Sequence, residues 1–318
     1  MDKKYRIGVD LGGTNVKIAI VDEKGHIAYS SSEPTRAEMG YKYTIQNIIN
    51  LIKTSLKETD ISKDAIGGIG VGCPGQIDSE NGIVRLLPNI PGWVNVPLTD
   101  IMEEEFGIKT CVDNDVRCAT LGEMAFGAGK GLKNIICITV GTGIGSGIVV
   151  NGKLARGASG TAGEIGHMML QDHMGPICGC GNTGCLEALA SGPTIVQMAN
   201  EYLMSGKSTK FRELAVNTPI SPRIVAEAAE MGDQVAKRIF EINGYWIGIG
   251  MANLVNILNP EAIIVGGGVA QAGDLLLEPI RKVIKERALS IPGEAVKVVA
   301  AELGESAGII GASLLTLQ

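Results

Sequence analysis

Apolar and polar positions along this chain follow two periods, and the switches between them lay out its elements. Tyr5–Asp10 and Val16–Asp22 are short apolar runs separated by the tight turn Asp10-Leu11-Gly12-Gly13-Thr14, and Lys24-Gly25 closes a hairpin to His26–Ser32. Ile45, Ile48, Ile49, Ile52 and Leu56 recur at a helical period, which predicts an amphipathic helix. Ile66–Cys73 predicts a strand running into Pro74-Gly75. Pro88–Pro97 holds three prolines and Trp93 and predicts an ordered loop. Thr110–Val112 is a strand ending at Asp113-Asn114-Asp115, and Val116–Phe126 is a helix.

The same order then starts again. Asn134–Val140 predicts a strand, Gly141-Thr142-Gly143-Ile144-Gly145 a turn, Ser146–Val150 a strand, and Asn151-Gly152 a two-residue hairpin. Ala262–Val265 runs into Gly266-Gly267-Gly268, as Ile66–Cys73 runs into Pro74-Gly75. This is an internal duplication: an α/β protein of two lobes with one plan, facing each other around a cleft. Helices are expected over Pro193–Met204, Asp233–Leu258 and Leu275–Ala288, with a strand at Val296–Ala300, a closing helix over Ser306–Leu317 and a polar excursion over Ser205–Pro222. The expected division is residues 1–118 plus 305–318 for an N-terminal lobe and 119–304 for a C-terminal lobe. Hinges fall near Cys118–Gly122 and Leu303–Ser306, because no low-complexity linker is present.

Composition narrows the class. With 318 residues, 45% hydrophobic and 19% charged, the chain has the balance of a globular enzyme. A net charge of −6 and the lack of a basic run argue against a nucleic-acid surface. No apolar run is long enough to span a membrane and no signal peptide precedes the first strand, so no membrane partner and a cytoplasmic location are expected. An odd count of seven Cys fits a reducing compartment. Cys73, Cys111, Cys118 and Cys137 are expected to be small buried hydrophobes.

The candidate chemistry lies at the turns. Gly12 and Gly13 in the first copy, and Gly143 in the second, leave backbone N–H groups open to phosphate oxygens, and Thr14 and Thr142 add hydroxyls. Asp10, at a strand end, suits Mg²⁺, and Gly267 and Gly268 leave room for a ring or ribose. The spacing matches neither the P-loop nor the dinucleotide fingerprint, so the duplication carries this inference. Asp113-Asn114-Asp115 ends a strand. Phosphoryl transfer to an alcohol needs a carboxylate to accept the hydroxyl proton, and Asp115 is the choice; Asn114 offers a substrate hydroxyl both a donor and an acceptor. The alternative is that the pair caps the following helix, and both roles are compatible.

Residues 163–190 hold the densest chemistry. His167, Cys178, Cys180 and Cys185 are a tetrahedral zinc donor set, and four protein ligands leave no place for water, so this zinc is structural. It pins a Gly-rich loop that carries Glu164 and Glu187, acceptors suited to sugar hydroxyls. His173 lies in the same loop and is an alternative ligand to His167. His26, beside a hairpin turn, is expected to be exposed.

These residues resemble the ROK family of repressors, open-reading-frame kinases and sugar kinases. The resemblance rests on DLGGT at 10–14, GCPGQID at 72–78, PNIPGW at 88–93, DNDVRCATLGE at 113–123, GTGIGSGI at 141–148, GEIGH at 163–167 and CGCGNTGCLE at 178–187. It implies a duplicated actin-like ATPase (ribonuclease H-like) fold, ATP with Mg²⁺ as phosphoryl donor, Asp115 as base and zinc on His167, Cys178, Cys180 and Cys185. It implies a hexose held by Asn114, Asp115, Glu164, His167 and Glu187, with Gly75 and Asn89 as further contacts. A homodimer or homotetramer is expected. Arg117 departs from the pattern, since many members carry a small or amide residue there. The function implied is a hexose kinase, glucose first, with N-acetylglucosamine, N-acetylmannosamine, mannose and fructose as alternatives. A sugar-sensing repressor would need a helix-turn-helix before the first strand, where only a few residues stand.

Overall fold

The structure is a computed structural model that describes residues 3–87, 89–206 and 208–318. Pro88, at the head of the predicted loop, and Lys207, within the predicted 205–222 excursion, lie outside the described residues. The chain divides into two compact units: residues 1–131, 147–162 and 302–318, and residues 132–146 and 163–301.

In chain order the first unit opens with β1 (Tyr5–Leu11), β2 (Asn15–Asp22), β3 (Ile27–Pro34), α1 (Tyr41–Glu58) and β4 (Ile66–Cys73). It continues through β5 (Gln76–Asp78), β6 (Ile83–Leu86), β7 (Val94–Val96), α2 (Leu98–Phe106), β8 (Thr110–Asn114) and α3 (Asp115–Phe126). Next come β9 (Ile135–Val140), β10 (Ile144–Val150) and β11 (Lys153–Leu154), then α4 (Leu186–Ala190), α5 (Gly192–Met204), α6 (Lys210–Leu214), α7 (Pro222–Glu230) and α8 (Gln234–Leu258). The chain finishes with β12 (Ala262–Gly266), α9 (Asp274–Arg287), α10 (Ser290–Ala295), β13 (Lys297–Ala300) and α11 (Ala307–Ser313).

Two five-stranded sheets carry the same plan, β3-β2-β1-β4-β8 and β11-β10-β9-β12-β13. The duplication read from the turns is therefore a duplication of topology: each sheet starts with a three-strand meander and adds two parallel strands beside its first strand. Strands β4, β9 and β12 read as near-continuous apolar runs because both of their faces are covered. Helix α1 buries Ile45, Ile48, Ile49 and Ile52 in the first core, as its period requires. Helix α11 packs on β1 and β4, where Gly8 and Gly70 leave space for the carbonyls of Ile309 and Ala312.

Three local expectations change. The Pro88–Pro97 stretch contains β7, which pairs with β6 in a small three-stranded sheet β5-β6-β7. The 205–222 excursion contains α6, anchored by the fully buried Phe211. The closing helix is short, with single 3₁₀ turns at Gly304–Ser306 and Leu315–Leu317 on either side of α11. The expected break after residue 118 falls within α3, which packs along α11. Buried Glu123 explains why the first unit continues past it: its carboxylate accepts the backbone N–H groups of Ala128 at 2.9 Å, Glu302 at 3.1 Å and Leu303 at 2.8 Å. Cys73, Cys118 and Cys137 are buried as expected, whereas Cys111 is half-buried. Among the described residues no helix is long and apolar enough to cross a membrane.

Candidate active site and metal centre

In the first unit, strand register gathers the acidic residues. Asp10 on β1 pairs with Gly72 on β4, and Gly72 pairs with Asp113 on β8, so three parallel strands end level. Asp115 opens α3 one step beyond. Burial, and then the charge of Asp115, push the Asp10 carboxyl up from its ordinary 3.8 to about 6, while Lys17, its cross-strand partner on β2, pulls it back. Two carboxylates this close at a strand end are a natural seat for a divalent cation, whose charge removes their repulsion.

Asn114 is the N-cap of α3. Its Oδ1 accepts from the N–H of Val116 at 3.0 Å and of Arg117 at 3.3 Å. The expected cap is present: the amide oxygen accepts from two helix N–H groups. Asp115 Oδ1 accepts its neighbour's N–H, from Val116, at 2.9 Å. Asp113 is fully buried between two arginines, with Arg117 Nε at 2.7 Å and Arg156 Nε at 2.9 Å.

The Gly12–Thr14 turn is braced from outside. Gly12 N–H donates to the Asn15 carbonyl at 2.9 Å, and Thr35 donates its hydroxyl to the Gly12 carbonyl at 2.7 Å and its N–H to that of Thr14 at 2.8 Å. Gly13 and Thr14 are exposed, as phosphate donors must be. Gly75, after β4, has φ +93°, and a Cβ there would lie 2.3 Å from the Leu86 carbonyl, so only glycine fits. Asn89 stands exposed in a turn closed by the Leu87 N–H on the Trp93 carbonyl at 3.2 Å.

In the second unit, Glu187 in the first turn of α4 joins two features that the sequence kept apart. Its Oε2 accepts from the N–H of Ile144 at 2.9 Å, and its Oε1 lies 3.8 Å from Cys178 Sγ. A Cβ on Gly143 would strike that carboxylate, so Gly143 makes room for Glu187 as well as leaving its turn open. Glu164 and His167 share a single 3₁₀ turn, with His167 N–H on the Glu164 carbonyl at 3.1 Å. Thr142 and Gly268 line a cavity of about 960 Å³ together with Gly141 and Gly192. Pro193 and Val196 of α5, Pro222 of α7 and Val269 supply apolar wall. Gly267, which precedes Gly268, has φ +87° and lies against the Val140 backbone. The α5 and α7 walls of this cavity were not legible along the chain, where 193–204 reads only as a helix and Pro222 only as the end of a polar excursion.

His167, Cys178, Cys180 and Cys185 bring one donor atom each to within 4.8 Å of one another. Cys178 Sγ is 3.7 Å from His167 Nδ1, and Cys180 Sγ is 3.8 Å from Cys185 Sγ. Tetrahedral Zn–S bonds of about 2.3 Å place sulfurs about 3.8 Å apart, so the donor set fits zinc. Backbone bonds also shape the loop, among them Cys178 N–H on the Asn182 carbonyl at 2.7 Å and Gly184 N–H on that of Pro176 at 2.8 Å, while Met174 and Ile177 are exposed at 88% and 81%. His173 is not part of the group; it points outward, 90% exposed, and pairs with Asp172 at 2.9 Å. His26 is likewise exposed and pairs with Asp22.

Comparison with known proteins decides the family. The ROK family profile matches residues 6–318. The chain belongs to the ROK family. A glucokinase of Halalkalibacterium halodurans is 39% identical over 319 residues, covering 100% of this chain and 96% of that protein. A crystal structure of a ROK family glucokinase from Streptomyces griseus in complex with glucose and AMPPNP shares 36% identity over 98% of each chain, with a TM-score of 0.81. A xylose repressor of Caldicellulosiruptor bescii is 32% identical over 98% of this chain and 78% of its own length. The fold is the duplicated actin-like ATPase fold of ROK kinases.

Proposed function

We propose that this ROK protein is an ATP-dependent hexose kinase that phosphorylates the 6-hydroxyl of glucose. The observation that carries the reading is the pairing of Asp10 and Asp115 at one strand end, in a chain similar over its full length to glucokinases. Asp115 takes the proton from the attacking hydroxyl, the sugar oxygen bonds to the γ-phosphorus of ATP, and ADP leaves with the electron pair of the broken P–O bond. Asp10 would hold the Mg²⁺ that accompanies ATP, which would supply positive charge to the phosphates. Backbone N–H groups of Gly12, Gly13 and Gly143 and the hydroxyls of Thr14 and Thr142 bind phosphate oxygens, and the apolar cavity beside Gly267 and Gly268 takes the nucleoside. In this reading Asn114 of the first unit and Glu164, His167 and Glu187 of the second bind sugar hydroxyls, and Gly75 and Asn89 are further contacts.

Zinc on His167, Cys178, Cys180 and Cys185 is structural. With four protein donors it supplies cross-linking and no open coordination position. Its effect on function runs through Glu187, whose carboxylate spans Cys178 and the Ile144 amide.

The test is a panel of glucose, N-acetylglucosamine, N-acetylmannosamine, mannose and fructose with ATP, read as kcat/KM. Glucose is expected to lead; a higher value for another sugar moves the assignment within the kinases. Absence of phosphoryl transfer to every sugar, with DNA binding relieved by a sugar, would replace the kinase with a repressor.

A further inference from the structure

The departure at residue 117 has a structural partner. Arg117 is buried, with 4% of its side chain exposed. Its Nε is 2.7 Å from Asp113 Oδ1, an ion pair rather than an aligned hydrogen bond. Its Nη1 donates to the carbonyl of Gly160. Arg156 closes the other side of Asp113, Nε to Oδ2 at 2.9 Å, and its own carbonyl accepts the N–H of Ala162 at 2.9 Å. The result is a closed circuit: β8 end, Arg117, Gly160, loop, Arg156 and back to Asp113.

One end of that circuit touches a residue of the proposed reaction, and the other leads along the chain toward two more. Asp113 Oδ1 also accepts the N–H of Asn114 at 2.8 Å, and the backbone N–H of Arg117 donates to the Asn114 side chain. At the far end Gly160 lies against β5; a Cβ on it would be 3.3 Å from the Ile77 carbonyl, two residues beyond Gly75. Ala162 leads directly into Gly163-Glu164. Gly157, Ala158 and Ser159 of the loop are exposed; the loop is closed by its own bonds, Ser159 Oγ to Thr161 Oγ1 at 2.9 Å among them, and is tied to the strand end by the two arginines. A guanidinium is suited to this because its planar fork reaches two acceptors at once in fixed geometry, which an ammonium does not.

We propose that Arg117 is a positioning residue for phosphoryl transfer to the sugar, tying the strand end that bears Asn114 and Asp115 to the loop 156–162 so that base and sugar-side backbone hold one geometry. This rests on the reading of Asp115 as the base and of the protein as a sugar kinase. A reacting group displaced by about 1 Å can cost on the order of a hundredfold in rate.

The experiment compares Arg117→Lys, Arg156→Lys and Asp115→Asn in the full-length, metal-loaded protein. Arg117→Lys is expected to raise the KM for glucose at least about tenfold and to lower kcat, to leave the KM for ATP within about twofold, and to speed amide hydrogen exchange over residues 157–162. Arg156→Lys, which also keeps its charge, is expected to change the same quantities in the same direction and less, because Arg117 still bridges. Glucose constants and loop exchange unchanged in Arg117→Lys overturn the proposal. So does an equal rise in both KM values with a general loss of melting temperature, which marks a purely structural role. Asp115→Asn judges the other reading separately: if it stays active, the base assignment fails, while the glucose KM and loop exchange of Arg117→Lys still decide the role of Arg117.

Discussion

The two sheets share one strand order and end in opposite chemistry. In the first unit the level ends of β1, β4 and β8 bring Asp10, Asp113 and Asp115 together, with Arg117, Arg156 and Lys17 set against them. In the second, the ends of β9, β12 and β13 are Val140-Gly141, Gly266-Gly267 and Ala300-Ala301, uncharged and small. An apolar cavity opens beside the first two of these. A duplicated backbone supplies the same Gly turn twice, and side chains then divide the work. On the proposed function, charge gathers where the proton and phosphoryl group would move, and bare backbone with apolar wall remains where the nucleoside would fit. The copies also differ at the third strand, where β11 has two residues and β3 has eight.

The contrast is broken most directly at Asp115. If the acidic end is the reacting end, Asp115→Asn should lower kcat by about 10²–10⁴, with zinc content and melting temperature unchanged. A coupled assay for ADP release reads it, and turnover within a few-fold of the parent would put the chemistry elsewhere. The metal comes next. Cys185→Ser should remove the bound zinc found by elemental analysis in protein purified without added metal, and lower the melting temperature by several degrees. His173→Ala should change neither. A fully loaded, equally stable Cys185→Ser protein would end the metal assignment.

Asp10 tests the charged end through stability alone. Its carboxyl is held at about 6 in the fold against an ordinary 3.8. The folded state thus binds more protons than the unfolded one between these values, and Asp10's contribution is full below about 4 and lost as the pH rises through about 6. Relative to Asp10→Asn, the parent without nucleotide and Mg²⁺ should lose at most about 3 kcal/mol between pH 4 and pH 7.5, read by denaturant melts. Parallel curves for the two proteins would show that Asp10 is not strained. The smallest effect is expected at the uncharged end: Val196→Trp should narrow the cavity and raise the KM for ATP about tenfold, roughly 1.4 kcal/mol, leaving the KM for glucose alone. A changed glucose KM with an unchanged ATP KM would exchange the roles of the two ends.

Much of this was legible along the chain. Runs such as Ile66–Cys73 and the Ile45–Ile52 stripe state their element because backbone period and side-chain direction are local properties. The duplicated Gly turns showed the repeat, and donor chemistry at His167 and the three cysteines named a metal before any distance was known. Capping was also foreseeable, since Asn114 needs only the two N–H groups that follow it. What tertiary structure alone decided is non-local. Which histidine joins the cysteines depends on the loop's path: His173 is nearer in sequence to Cys178 than His167 is, yet it turns away at φ +50°. The role of Arg117 needs Arg156 and Gly160, each 43 positions from its partner. The apolar cavity needs helices α5 and α7 brought to the same glycine turn. A sequence specifies which groups can pair and which backbone can bend, and burial in the folded core selects among those pairs, because a charge or polar group left without its partner there is too costly to keep.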